Sequence, residues 1–293
     1  MSLKVRMIDT YEDFLTYWST ASSMSVEHKT YFWKASYMEK YPELLKKQLE
    51  NYGGEGLDWG KVAGERVFPK LSENISLMSE ARKNILTIYK PVCSRAYETL
   101  KLDFNMVLVI YVGIGCGAGW STRYEGLPAI LLGLENIAES GWHTENKLQG
   151  LIAHEIGHLA HMAWRNEWEV FEEMERDPLF QLYSEGFAQR CEHIILGRET
   201  WHQAQDEDWS NWCEEHRSWL AGEFLKRLEV PSQVQGFFGS WFSVQGRKQT
   251  GYFLGHEFIR SLEEKHSLRE IALLNEGEVK EQVILFLRRE SYK

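Results

Sequence analysis

Residues 151–161 read LIAHEIGHLAH, with His154, His158, His161 and Glu155 set in an otherwise apolar run. Thr144 is a good N-cap residue, and Glu145 follows in the first turn, where the helix dipole favours an acid. A helix is therefore predicted from there to about Trp164. At about 100° per residue, Leu148, Leu151, Ile152, Ile156, Leu159, Met162 and Ala163 fill an arc of about 140°. Glu155 falls inside that arc, where a carboxylate is costly unless something compensates its charge. Ala153, Gly157 and Ala160 fill another flank, so the helix can be packed on most sides. A buried helix of merely hydrogen-bonded histidines would leave Glu155 unexplained.

The core of the stretch, HEIGH, is an instance of H-E-x-x-H. On a helix, His154 and His158 sit one turn apart, about 6 Å along the axis and about 40° around it. Two imidazoles so placed can converge on one zinc ion, with Glu155 reaching a metal-activated water. The chemistry needs this set: the metal polarises a scissile carbonyl, and a carboxylate moves a proton from water to the leaving amine. His161 shares the face but lies about 10 Å along the axis from His154, too far to join the same ion. It reads as a supporting or packed residue. A third histidine ten residues after the first, as metzincins have, is excluded because position 164 is Trp164.

A catalytic zinc normally takes three protein ligands and leaves one position open. The acidic candidates downstream are Glu167, Glu169, Glu172, Glu173, Glu175, Glu185 and Glu192. The dense polar cluster from 167 to 175 reads as a solvated segment. Asp177 and Pro178 form a cap and first-turn pair that opens a predicted helix over 178–196. Glu185 lies on that helix in LYSEGFAQR, where Gly186 and Ala188 permit close approach to the first helix. Glu185 is the favoured third ligand, and Glu192, two turns on, is its rival.

HEIGH, followed 27 residues after His158 by the glutamate of SEGFA, resembles the gluzincin group of zinc metallopeptidases. GWSTRYEGLPAILLGLE before the motif and GYFLGHEFI after it further resemble a bacterial family of predicted zinc-dependent proteases. The resemblance spans about residues 105 to 265, and HEIGH and SEGFA are its specific parts. It implies a zincin-like fold, with His154, His158 and Glu185 as ligands of one zinc per chain and Glu155 as general base. The thermolysin-type N-E-x-x-x-D pattern is absent, because Ser184 precedes Glu185 and Gln189 stands four residues on.

A developing oxyanion needs a donor besides the metal. In GYFLGHEFI, Tyr252 and His256 are i and i+4 on one face of a predicted helix, with Gly251 and Gly255 flattening it. Tyr252 is the first candidate for that donor and His256 the second. LPAILLGLE is an apolar strand whose edge is a candidate for pairing with an extended peptide. The run GIGCGAG lacks G-x-G-x-x-G spacing and precedes a turn and strand rather than a helix, which argues against dinucleotide binding. Trp209, Trp212, Trp219 and Trp241 are expected to pack the C-terminal helices, with the lining of an apolar substrate cleft as the alternative.

The totals fit this reading. The chain has 293 residues, 43% hydrophobic and 13% aromatic, ample for a packed core. A formal net charge of −10 without a basic cluster disfavours nucleic acid and anionic membranes as partners. Cys93, Cys116, Cys191 and Cys213 form no C-x-x-C pair, so a cysteine zinc site is not expected. With no signal peptide, they read as reduced thiols of a cytoplasmic protein. No apolar run approaches the roughly 20 residues of a membrane span. FNMVLVIYVG reads as a buried strand, and GIGCGAGWSTRYEG as a glycine-rich turn before the second strand. Residues 51–66 read as a glycine-rich loop, and a helix from about Ser72 is expected to stop before Pro91, followed by a short helix over 92–101.

The expectation is a mostly helical α+β chain, zincin-like, with a small mixed sheet beside the H-E-x-x-H helix. An N-terminal helical region over 1–100 is expected to precede a catalytic domain over 101–293, with one continuous domain as the alternative. The expected activity is hydrolysis of peptide or protein substrates. The alternatives are a zinc hydrolase of a non-peptide amide and a non-catalytic metal-binding regulatory protein.

Overall fold

A computed structural model describes residues 4–54, 56–204, 208–239 and 242–292. Every residue of β2 (Met106–Tyr111) is buried, as its unbroken apolar run demands. β2 is parallel on one side to β1 (Val5–Asp9) and on the other to β4 (Leu127–Gly133), and β3 (Gly119–Tyr124) runs antiparallel to β4. The sheet order is β1-β2-β4-β3. The chain is 68% helical around this one small mixed sheet, an α+β composition. No helix among the described residues is long and apolar enough to cross a membrane.

Two compact units divide the chain: Met1–Tyr97 with Asp103–Ile152, and Glu98–Leu102 with Ala153–Lys293. The boundary between them falls inside the H-E-x-x-H helix. The reason is β1. This five-residue strand carries the chain's first described residues into register with β2, Val5 opposite Met106, so the N-terminal region and the sheet fold as one unit.

In that first unit, α1 (Tyr11–Ala21) buries Tyr11, Phe14, Tyr17 and Trp18. Phe14 and Tyr17 meet Tyr37, whose hydroxyl lies 2.6 Å from Thr10 Oγ1. GWSTRY is a strand rather than part of a turn. Glu125 and Gly126 both have positive φ, the signature of a two-residue hairpin turn, and that turn joins β3 to β4 in register. β4 is paired on both sides, so LPAILLG offers no free edge to a peptide.

The stretch expected to be a loop is largely helical. Asp58 caps a short helix, Trp59–Val62, by accepting from the N–H groups of Gly60 (2.9 Å) and Lys61 (3.2 Å). A π-helical turn, Ala63–Val67, then leads into α2 (Phe68–Leu100). α2 runs straight through Pro91. An interior proline costs about 3 kcal/mol. Ile85, Ile88, Val92 and Ala96 are buried at helical spacing on both sides of it. Each buried Ile or Val contributes about 1.5–3 kcal/mol, so together they outweigh the break.

The second unit is helical. α3 (Glu145–Arg165) enters it at Ala153, and α4 (Pro178–Leu196) follows. Asp177 accepts from Leu179 N at 2.9 Å, Pro178 occupies the first turn, and Gly197 closes α4 in the left-handed conformation. α5 (Thr250–Glu263) crosses α4 at two facing glycines. A Cβ on Gly186 would lie 2.1 Å from the Gly255 carbonyl carbon, so neither position admits a side chain. A Cβ on Gly157 would lie 2.8 Å from the Ala188 Cα, which brings α3 equally close to α4. A last long helix, α6 (Glu276–Ser291), starts at an Asn275–Glu278 capping box.

Candidate metal centre

The close α3–α4 crossing sets where the α3 histidines meet the α4 carboxylates. His154 Nε2 lies 3.1 Å from Glu185 Oε2, and His158 Nε2 lies 3.3 Å from the same oxygen. The two imidazole rings are 5.0 Å apart, edge to face. Ligands bound to zinc at about 2.0–2.1 Å in a tetrahedral arrangement sit roughly 3.3 Å from one another. Both nitrogens therefore stand from the Glu185 oxygen as ligands of one ion would, and the three residues form a group that could hold a metal ion. Two imidazoles and a carboxylate, with further positions left to solvent or substrate, are also a donor set suited to zinc.

Burial and the histidine–carboxylate contacts set the charges of this group against one another. Burial pushes the Glu185 carboxyl up, but hydrogen bonds from His154 and His158 outweigh it and hold the group well below the ordinary carboxylate range. Burial lowers His158 as well, yet the Glu185 hydrogen bond and charge reverse this and push it up to about 9. His154, more completely enclosed, is lowered, with burial as the main cause. A proton on His158 thus occupies the place that a metal ion would take, and only neutral imidazole can ligate.

Glu155 is 7% exposed, on α3 between the two histidines. The Tyr252 hydroxyl is raised well above its ordinary value, by burial first and then by the nearby charges of Glu185 and Glu155. Its ring centre is 5.5 Å from that of His154. Tyr252 thus stands at the site as a protonated donor. His256 goes elsewhere. Its ring packs 4.5 Å from His193 and 5.1 Å from Trp201, and its Nδ1 lies 3.1 Å from Glu257. None of these residues belongs to the His154–His158–Glu185 group.

His161 is fully buried among Phe171, Phe180 and Phe187, with Nε2 3.0 Å from the Tyr183 hydroxyl. Burial lowers it well below the usual histidine range. It is a core residue.

Glu192 is not placed with Glu185. It lies on the other side of His154, its Oε2 being 3.7 Å from Nδ1 and 2.8 Å from Nδ1 of His202. His154, Glu192 and His202 form a second buried group that could hold a metal ion. Nothing local in the sequence ties His202 to His154. Glu175 lies in the segment whose composition reads as solvated. Instead Glu175 accepts a short hydrogen bond from Ser184 Oγ, and Ser184 in turn lies 3.3 Å from Nδ1 of His158.

The glycine-rich loop after β2 is closed on itself. Glu135 accepts from Gly113 N at 2.8 Å and Gly115 N at 3.1 Å, taking the donors that an anion would use. All four cysteines are free thiols. Trp209 is buried and donates to Lys248 O at 2.9 Å, Trp212 stacks on His216, Trp219 is exposed, and Trp241 lies outside the described residues.

No known protein family, curated protein or solved structure matches the chain.

Proposed function

We propose that the protein is a zinc-dependent metallopeptidase of gluzincin type, with His154, His158 and Glu185 as ligands of one zinc ion. The observation that carries this is the convergence of two imidazole Nε2 atoms on one Glu185 oxygen, at 3.1 and 3.3 Å, next to the buried carboxylate of Glu155. Zinc held there supplies Lewis acidity toward a substrate carbonyl and makes water more acidic.

The chain's own residues perform the rest. Glu155 takes a proton from the attacking water and delivers it to the leaving amine, so no covalent intermediate with the protein is needed. Tyr252 keeps its proton across the physiological range and donates a hydrogen bond to the developing oxyanion. The glycine contacts Gly186–Gly255 and Gly157–Ala188 hold the three helices rigidly, which keeps ligands, base and donor in register. A purely structural metal site would have no use for a carboxylate beside the first histidine.

Metal analysis of the wild type and of Glu155→Gln, paired with a peptide-cleavage assay, tests the proposal. About one zinc per chain is expected in both proteins, with cleavage lost in the variant. A wild type without zinc, or a variant that still cleaves, sinks the reading. Cleavage of non-peptide amides but not of peptides by the wild type would redirect it to a zinc hydrolase of a non-peptide amide.

A further inference from the structure

One nitrogen of His154 is not used by the metal reading. Nδ1 is buried and has no hydrogen-bond partner, and it faces Glu192 Oε2 at 3.7 Å. Glu192 is itself fully buried. Thr200 Oγ1 donates to its Oε1 at 2.8 Å, and His202 Nδ1 lies 2.8 Å from its Oε2.

These supports are anchored in turn. The chain reverses at Gly197 and runs back along α4. There the Thr200 carbonyl accepts from Gln189 Nε2 at 2.8 Å and lies 2.6 Å from His193 Nε2. Trp201 packs edge-on against His193 and His256. A fully buried carboxylate with two hydrogen bonds and a third, unpartnered nitrogen in front of it is an expensive arrangement to keep without use.

We propose that Glu192 is the positioning residue for His154: its carboxylate, 3.7 Å away, holds the ring proton on Nδ1 by attracting Nδ1–H, and so presents the Nε2 lone pair toward an ion shared with His158 and Glu185. This rests on the metal reading above. A neutral imidazole carries one proton. Fixing it on Nδ1 leaves Nε2 free to ligate and fixes the ring plane.

Distances separate this role from a second metal site made by His154, Glu192 and His202. The Glu192–His202 separation of 2.8 Å is that of a hydrogen bond. It is shorter than the roughly 3.3 Å between two ligands of one zinc. A second ion would also require His154 to give up both ring protons.

The test compares wild type, Glu192→Gln, Glu192→Asp and His202→Phe. It reads zinc affinity by chelator competition, the visible spectrum of the cobalt-substituted proteins, and thermal unfolding without metal. Glu192→Gln should bind zinc about 10–100-fold more weakly, with shifted cobalt bands. Glu192→Asp should recover part of the affinity, and His202→Phe should weaken it less than Glu192→Gln does. A merely structural role for Glu192 would lower metal-free stability and leave the cobalt bands in place, which overturns the proposal. Unchanged affinity in Glu192→Gln overturns it too, as do two ions in the wild type with one lost in the variant. If Glu192→Gln does not fold, unchanged affinity in His202→Phe decides against the proposal and weakened affinity decides for it. A wild type that binds no zinc overturns the metal reading as well, whereas zinc in the wild type with an unaffected variant overturns this inference alone.

Discussion

Each unit buries a carboxylate, and the two are kept in opposite ways. Glu135, in the sheet unit, is 4% exposed and has backbone N–H partners only, from Gly113 and Gly115. Burial wins there, and its carboxyl is pushed up to about 7. Glu185, in the helical unit, faces two imidazoles, and they win over burial. Backbone amides contribute partial charges that shape a loop. A pair of imidazoles that can hold a proton or a cation keeps a carboxylate ionised. The first device is structural, and a Cβ on Gly113 would collide with it, 2.8 Å from Glu135 Oε1. The second belongs to a group that could hold a metal ion.

The contrast breaks most sharply at Glu185. Glu185→Ala should weaken zinc binding by more than about 100-fold and abolish cleavage, because a ligand is lost rather than a supporting residue. Chelator competition measures it, and a variant that retains zinc would make Glu185 no different in kind from Glu135. Next in size is Tyr252→Phe, which removes the proposed oxyanion donor. The expected result is a kcat lower by about 10²–10³ with zinc content unchanged. A loss of zinc instead would assign Tyr252 to holding the metal site together.

The smallest effect, and the one that sharpens the other half of the contrast, concerns Glu135 and pH. The folded protein binds the Glu135 proton up to about pH 7. The unfolded chain releases it near 4.5. Between these values the folded state holds more protons, so stability falls as pH rises, and the loss is complete above about 7. The linkage is worth up to about 3 kcal/mol. Urea unfolding at pH 5 and pH 8 should show the wild type losing more stability across this window than Glu135→Gln does. Equal losses would mean that the Gly113 and Gly115 amides compensate the charge fully.

The candidate site was legible in the sequence where its signals were local. His154 and His158 declare themselves by helical spacing, and Glu155 by sitting in an apolar arc. Glu185 was placed on a helix whose ends are marked by Asp177, Pro178 and Gly197. What could not be read were choices between residues that share a face. Glu185 and Glu192 are two turns apart on α4, and both approach His154, one from each ring nitrogen. Sequence ranks them only by neighbours such as Gly186. Glu175 looked solvated because its surroundings are polar, and its hydrogen bond with Ser184 depends on how the chain turns before Asp177.

The fold divides along the same line. Periodicity, caps and apolar runs determine α3, α4, α5 and the buried strand β2 in the sequence itself, because each depends on interactions within a few residues. Tertiary structure alone decided that Val5–Asp9 joins β2, that α2 continues through Pro91, that β4 is interior, and that His202 and Thr200 return to Glu192. Those outcomes depend on contacts between segments far apart in the chain, where burial outweighs local preference. The candidate metal group itself is of both kinds: its residue types are written locally, and its 3.1 and 3.3 Å spacings depend on the close approach of α3 and α4 at Gly157 and Ala188.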